Sequence, residues 1–67
     1  MQRFSSEEYR KFLAAYYKNA YPHLRFGQAF LHHFKDKGLS LVTDAELFYT
    51  TDMRTATRII HERYLMR

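Results

Sequence analysis

The stretch YPHLRFGQAFLHHF, residues 21 to 34, gathers three of the chain's four histidines beside the only proline, Pro22, and one of two glycines, Gly27. Histidines in such density invite a metal-site reading. Spacing argues against it: on a helix His32 and His33 point about 100° apart, so they cannot both face one ion as an i, i+4 pair would. His32 and Asp36 have that i, i+4 spacing, and His23 or His61 would have to complete the set from a distance. The better reading places His33 partly buried on a phenylalanine stripe and leaves the other three at the surface. No metal and no cofactor is expected.

Nucleophilic chemistry fares no better. The chain has no cysteine, which excludes disulfides and thiolate zinc sites. Ser5 and Ser6 lie at an expected helix start, and Ser40 follows Gly38. Glu7, Glu8, Asp44 and Glu46 also fall near helix starts, where acids complement the helix dipole without any acid–base role. No Gly-x-Gly-x-x-Gly or phosphate loop surrounds Gly27, so no nucleotide cradle is expected. The chain reads as a non-enzyme. Gly27, expected inside a helix, should offset its cost of about 1 kcal/mol either by close packing on the first or last helix or by leaving a groove for a partner.

The basic residues carry the functional lead. Arg54, Arg58 and His61 follow i, i+4, i+7 along the expected last helix, with Leu65 continuing that side, and Arg10–Lys11 and Lys35–Lys37 form smaller clusters. Such a ridge could contact an acidic protein face or nucleic-acid phosphates. It could equally be an ordinary solvated face, partly neutralised by Asp52 and Glu62. A helix-turn-helix reader fits poorly, because the helix after Tyr21–Pro22 opens with HLRFGQAF and is mainly apolar where recognition side chains would be needed.

These groups need elements to hold them. With 67 residues only one domain is expected, 1–67, and a chain so short buries only roughly 60% of the surface exposed on unfolding. Six Phe and six Tyr supply the bulk that disulfides do not, and a homodimer would be another source of burial. Ser5 and Glu8 form a capping box, with Phe4 and Tyr9 as its hydrophobic staple, so a first helix is predicted from Ser5 or Ser6 to between Asn19 and Tyr21, burying Tyr9, Phe12, Leu13, Tyr16, Tyr17 and Ala20. Pro22 opens a second helix, from about His23 to Asp36 or Lys37, with a stripe of Phe26, Ala29, Phe30, His33 and Phe34 and a left-handed cap at Gly38. Residues 39 to 42, LSLV, read as a buried linker. Thr43 and Glu46 cap a short helix over DAELFY, and Thr51 or Asp52 caps a last one to about Leu65, whose inner face is Met53, Ala56, Ile60 and Tyr64 with Ile59 alongside. The fold class predicted is all-α: a compact bundle of three main helices plus one short helix. No apolar run suggests a signal peptide or membrane span, and with the missing cysteines this points to a cytoplasmic protein.

The segment YPHLRFGQAF, the acid-capped LFY and the TATRIIHERY helix together resemble small proteins encoded by bacteriophages, prophages and related mobile elements. The resemblance spans about Tyr9 to Tyr64 and consists of core-type aromatics, a glycine and an acid–aromatic turn, so it assigns no catalytic or binding residue. It implies an accessory protein made in a bacterial host's cytoplasm and acting on a host or phage macromolecule. The expected function is binding of a protein partner through Arg54, Arg58, His61, Arg10 and Lys11 with exposed tyrosines, the residue types favoured at interface hot spots. The alternative is a basic nucleic-acid-binding regulator using Arg54, Arg58 and neighbouring cations. A net charge of +4 fits either.

Overall fold

Ser5 opens the first helix, α1 (Ser6–Tyr17), by the predicted reciprocal cap: its hydroxyl accepts from the Glu8 amide at 3.1 Å, and the Glu8 carboxylate accepts from the Ser5 amide at 2.9 Å. That amide bond holds the Glu8 carboxyl below its ordinary range. The computed structural model describes residues 3–40 and 42–66. In it α1 stops two residues before the earliest predicted end. Asn19 takes a left-handed φ of 66°, its amide donates to the Tyr16 carbonyl, and the Ala20 amide donates to the Ala15 carbonyl. This is a Schellman-type stop with Asn where Gly is commoner, so a local turn ends the helix before Pro22 can.

The second helix, α2 (Phe26–His33), starts later than predicted. The Leu24 amide turns back to the Tyr21 carbonyl at 3.2 Å, and Gln28 caps the helix by accepting from the Arg25 amide at 3.2 Å. After Phe34 the chain tightens into one 3-10 turn (Lys35–Lys37) and leaves through Gly38 at φ 97°, the expected left-handed cap. Leu39 is buried but Val42 is 87% exposed, so the linker is only partly buried; Leu41 lies outside the described residues. Asp44, not Thr43, caps α3 (Ala45–Tyr49) by accepting from the Leu47 amide, while Thr43 accepts from the Ser40 amide to close its own loop. Asp52 caps α4 (Met53–Arg63) through the Arg54 amide and the Thr55 hydroxyl.

The four helices make the predicted all-α bundle of three longer helices and one short one. No helix among the described residues is long and apolar enough to cross a membrane. Helix α2 lies in the middle, touching α1, α3 and α4. Its Phe30 is fully buried and meets the rings of Phe12 at 5.4 Å, Tyr64 at 5.4 Å and Phe34 at 4.9 Å between centroids. The staple residues Phe4 and Tyr9 both edge against this ring, and Phe4 stacks on Phe34 at 4.2 Å. Phe4 also joins the two ends of the chain: its amide donates to the Tyr64 carbonyl at 2.7 Å, and its carbonyl accepts from the Met66 amide at 2.9 Å. Arg3 donates to the carbonyls of Glu62 and Leu65, serving the open end of α4.

Two contacts fix α3, which at five residues could not persist alone. Gly27, the second residue of α2, lies so close to α3 that a Cβ built on it would strike the Leu47 carbonyl oxygen and sit 2.9 Å from Leu47 Cδ1. The close packing expected of Gly27 is therefore present, but its partner is the short helix, not the first or last. Gln28 adds a bond from Nε2 to the Phe48 carbonyl at 3.3 Å, so the amide end of α2 meets the carbonyl end of α3 with their dipoles complementary. At the other end of α3 the buried Asp44 carboxylate accepts from Arg63 at 2.9 and 3.0 Å and from the Tyr64 hydroxyl at 2.9 Å; Arg63 also reaches Glu46 at 2.6 Å. Burial alone would raise the Asp44 carboxyl; the bonds from Arg63, the Leu47 amide and Tyr64 outweigh it and hold the group below the usual carboxylate range. Burial, and then the bond to Asp44, push the Tyr64 hydroxyl up to about 12.

Replacing Gly27→Ala should destabilise the fold by about 1–3 kcal/mol despite alanine's better helix propensity, because a backbone oxygen must move; a urea midpoint equal to or above the parent's would contradict this. Asp44→Asn should cost about 2 kcal/mol, less than a fully buried pair because Arg63 is 39% exposed. Since the folded-state pKa of Asp44 is depressed, its contribution is present above the unfolded value near 4 and lost as pH falls through the lower folded value. Urea midpoints measured against pH should show a shallower acid limb in the Asn variant than in the parent.

Candidate functional site

Helix α4 buries Ala56, Ile59, Ile60 and the following Tyr64, and its other side faces water. Arg54, Arg58 and His61 are all exposed and, at 100° per residue, fall within about 60° of one another around the axis, so the predicted ridge forms. Met53, predicted on the inner face, is 41% exposed. Leu65 does not continue the ridge; it is buried and pairs with Phe4, because the helix has ended at Arg63. Of the acids named as neutralising, Asp52 is engaged in capping α4, and Glu62 pairs with Arg58 at 3.5 Å. That pair is more than half exposed on both sides and so contributes little. Arg54 forms no ion pair among the described residues.

An aromatic bridge connects the ridge to α1. The His61 ring meets Tyr9 edge to face at 5.5 Å. Burial pushes the Tyr9 hydroxyl up, Tyr17 adds to the rise, and Thr57 of α4 opposes it. Tyr17 itself is 69% exposed, against its expected place in the core. Arg10 lies seven residues before Tyr17, on the same edge of α1. Lys11 does not join it. One residue and about 100° away, Lys11 lines a separate cleft of about 280 Å³ with Glu8, His33, Phe34, Asp36 and Lys37. The two members of the Arg10–Lys11 cluster thus point to different sides of α1, and Arg10, which is exposed, does not line that cleft.

Two of the three histidines of the opening stretch, His32 and His33, are taken up by packing. Tyr21 Oη and His33 Nδ1 share a 2.6 Å hydrogen bond, and the His33 ring sits edge-on to Phe12 and Phe34. Burial, followed by the neighbouring His32, lowers the His33 pKa. His32 is also half-buried, against Tyr21, while His23 and His61 are exposed. Among the described residues no three histidine, aspartate or glutamate side chains gather so as to hold a metal ion.

No family model, no curated protein and no solved structure matches the chain. Within YPHLRFGQAF, Phe26, Gly27, Ala29 and Phe30 are buried.

Because the ridge is exposed and its one ion pair is weak, Arg54→Ala and Arg58→Ala should each leave folding stability within about 0.5 kcal/mol of the parent, measured by urea unfolding. A loss of several kcal/mol would assign these side chains to the fold and not to a surface role.

Proposed function

We propose that this is a small, non-catalytic accessory protein of the phage type, acting in a bacterial cytoplasm by binding an acidic face of a partner protein. The observation that supports it is the exposed array of Arg54, Arg58 and His61 on α4, whose His61 ring meets Tyr9 of α1, together with the exposed Met53 and Tyr17. Arg, Tyr and Met are enriched at protein interfaces, and exposed rings and thioether groups are not needed to contact phosphates. A second copy using the same face would set like charges opposite one another, which favours a different chain as partner.

A second reading has its own support. Arg10, Lys11, Lys18, Arg25, Lys35, Lys37 and Arg54 make no ion pair among the described residues, a spread of free cations suited to a nucleic-acid backbone. Affinity capture from bacterial lysate with and without nuclease separates the two. The protein-binding reading expects one discrete protein retained after nuclease treatment, and its purified form bound at least about tenfold more weakly by the Arg54→Ala/Arg58→Ala double variant. Capture abolished by nuclease, together with duplex DNA binding that falls steeply as salt rises, would establish the second reading in its place.

A further inference from the structure

The α4 ridge holds two guanidiniums, but only one is without an ion-pair partner. Arg58 is set against Glu62 at 3.5 Å, while Arg54 forms no ion pair among the described residues. Asp52 is engaged at the amide end of α4, where it accepts from the Arg54 amide and the Thr55 hydroxyl, although its field also reaches the Arg54 guanidinium. The third ridge member is His61, and imidazole is the one side chain whose ordinary charge change falls between about pH 5 and 8. A proton on that ring doubles the number of ridge cations that have no ion-pair partner.

The surroundings of His61 leave this proton to exchange with solvent. The ring is exposed in the last turn of α4. From α1 it meets Tyr9 edge to face at 5.5 Å, and Tyr9, whose hydroxyl is raised by burial, stays neutral throughout that range. From the N-terminal segment Arg3 approaches the same helix end, with its guanidinium held on the carbonyls of Glu62 and Leu65. On α4 itself Arg58, one turn back, opposes a further cation, whereas Glu62 and the carbonyl end of the helix favour one. Along the helix axis Arg54 and His61 are about 10 Å apart, roughly one Debye length at 0.1 M salt, so the two act on one partner surface.

We infer that His61 makes the ridge a pH-responsive docking surface: its ring takes a proton from solvent as pH falls from about 8 to 6, and the ridge then holds an acidic protein face more tightly. This rests on the protein-binding reading above and adds to it the regulation of that site. Arg54 and Arg58 supply the attraction present throughout this range, and His61 supplies the part that varies.

The test is binding of the full chain to immobilised poly-L-glutamate at about pH 8, 7 and 6 in low salt, with a duplex DNA at equal charge concentration for comparison. Parent affinity for polyglutamate should rise at least about threefold between about pH 8 and 6, the effect of one exposed charge pair. His61→Gln should remove the rise, and His61→Arg should bind at about pH 8 as the parent does at about pH 6. His23→Gln, at another exposed histidine, should behave as the parent. The His61 ring-proton resonance, followed by NMR, should titrate over the same pH range as the affinity. A parent affinity independent of pH, a rise that survives in His61→Gln, or an affinity midpoint apart from that of the His61 resonance overturns the inference. The ridge reading still stands in those cases if Arg54→Ala/Arg58→Ala weakens polyglutamate binding about tenfold. Binding unchanged by that double variant, or a preference for duplex DNA, removes the protein-binding reading and this inference with it.

Discussion

The three longer helices of this small molecule converge on the ring of Phe30. Phe4 reaches it from the N-terminal segment, Tyr9 and Phe12 from α1, Phe34 from the end of its own helix and Tyr64 from α4. Each aromatic side chain can bury roughly 150–250 Å², which is how a chain of 67 residues without disulfides assembles a continuous apolar centre. The cost of this arrangement is geometric. Wide rings hold helix axes apart, so α1 and α4 are joined through Tyr9 and His61 rather than backbone to backbone, and the space between their ends stays open.

Where rings are missing, polar groups take over. Helix α3 has only Leu47 fully in the core and is held at both ends: its carbonyls lie against Gly27 and Gln28, and its capping Asp44 receives Arg63 and Tyr64. Among the described residues no buried side-chain polar atom lacks a partner, so this clamp satisfies its own desolvation. Pairing of Phe4 with Tyr64 and Met66, with Arg3 on the last carbonyls of α4, joins the two ends of the chain in the same economical way.

This distribution of work explains the surface. Arg63 and Arg3 are occupied with architecture, while Arg10, Arg25 and Arg54 are exposed and make no ion pair among the described residues. Two positions within α4 illustrate the division. Arg58 and Arg63 are both paired, but Arg58 pairs with an exposed Glu62 and Arg63 with a buried carboxylate, so only the second matters to the fold.

Much of the architecture was legible in local chemistry. The Ser5–Glu8 box, the left-handed Gly38 and the periodic stripe of Phe26, Phe30 and Phe34 each depend on residues within a turn or two of one another, and each has its expected form. So does the Arg54, Arg58, His61 ridge, which follows from helical periodicity alone. What local chemistry did not reveal depends on partners distant in the chain. Gly27 indicated a close approach but not by which helix, since Leu47 is twenty residues away; Asp44 looked like one more helix-start acid until Arg63 and Tyr64 enclosed it; and Tyr17 and Met53 have core-like chemistry but lie where α1 and α4 diverge. The sequence by itself determined which segments are helical and which of their faces are apolar, because those properties repeat every few residues. Only the tertiary structure decided that Lys11 lines a cleft with His33 and Phe34 while Arg10 does not, and that three helix ends surround a cleft, because both depend on how the helices pack around the Phe30 cluster.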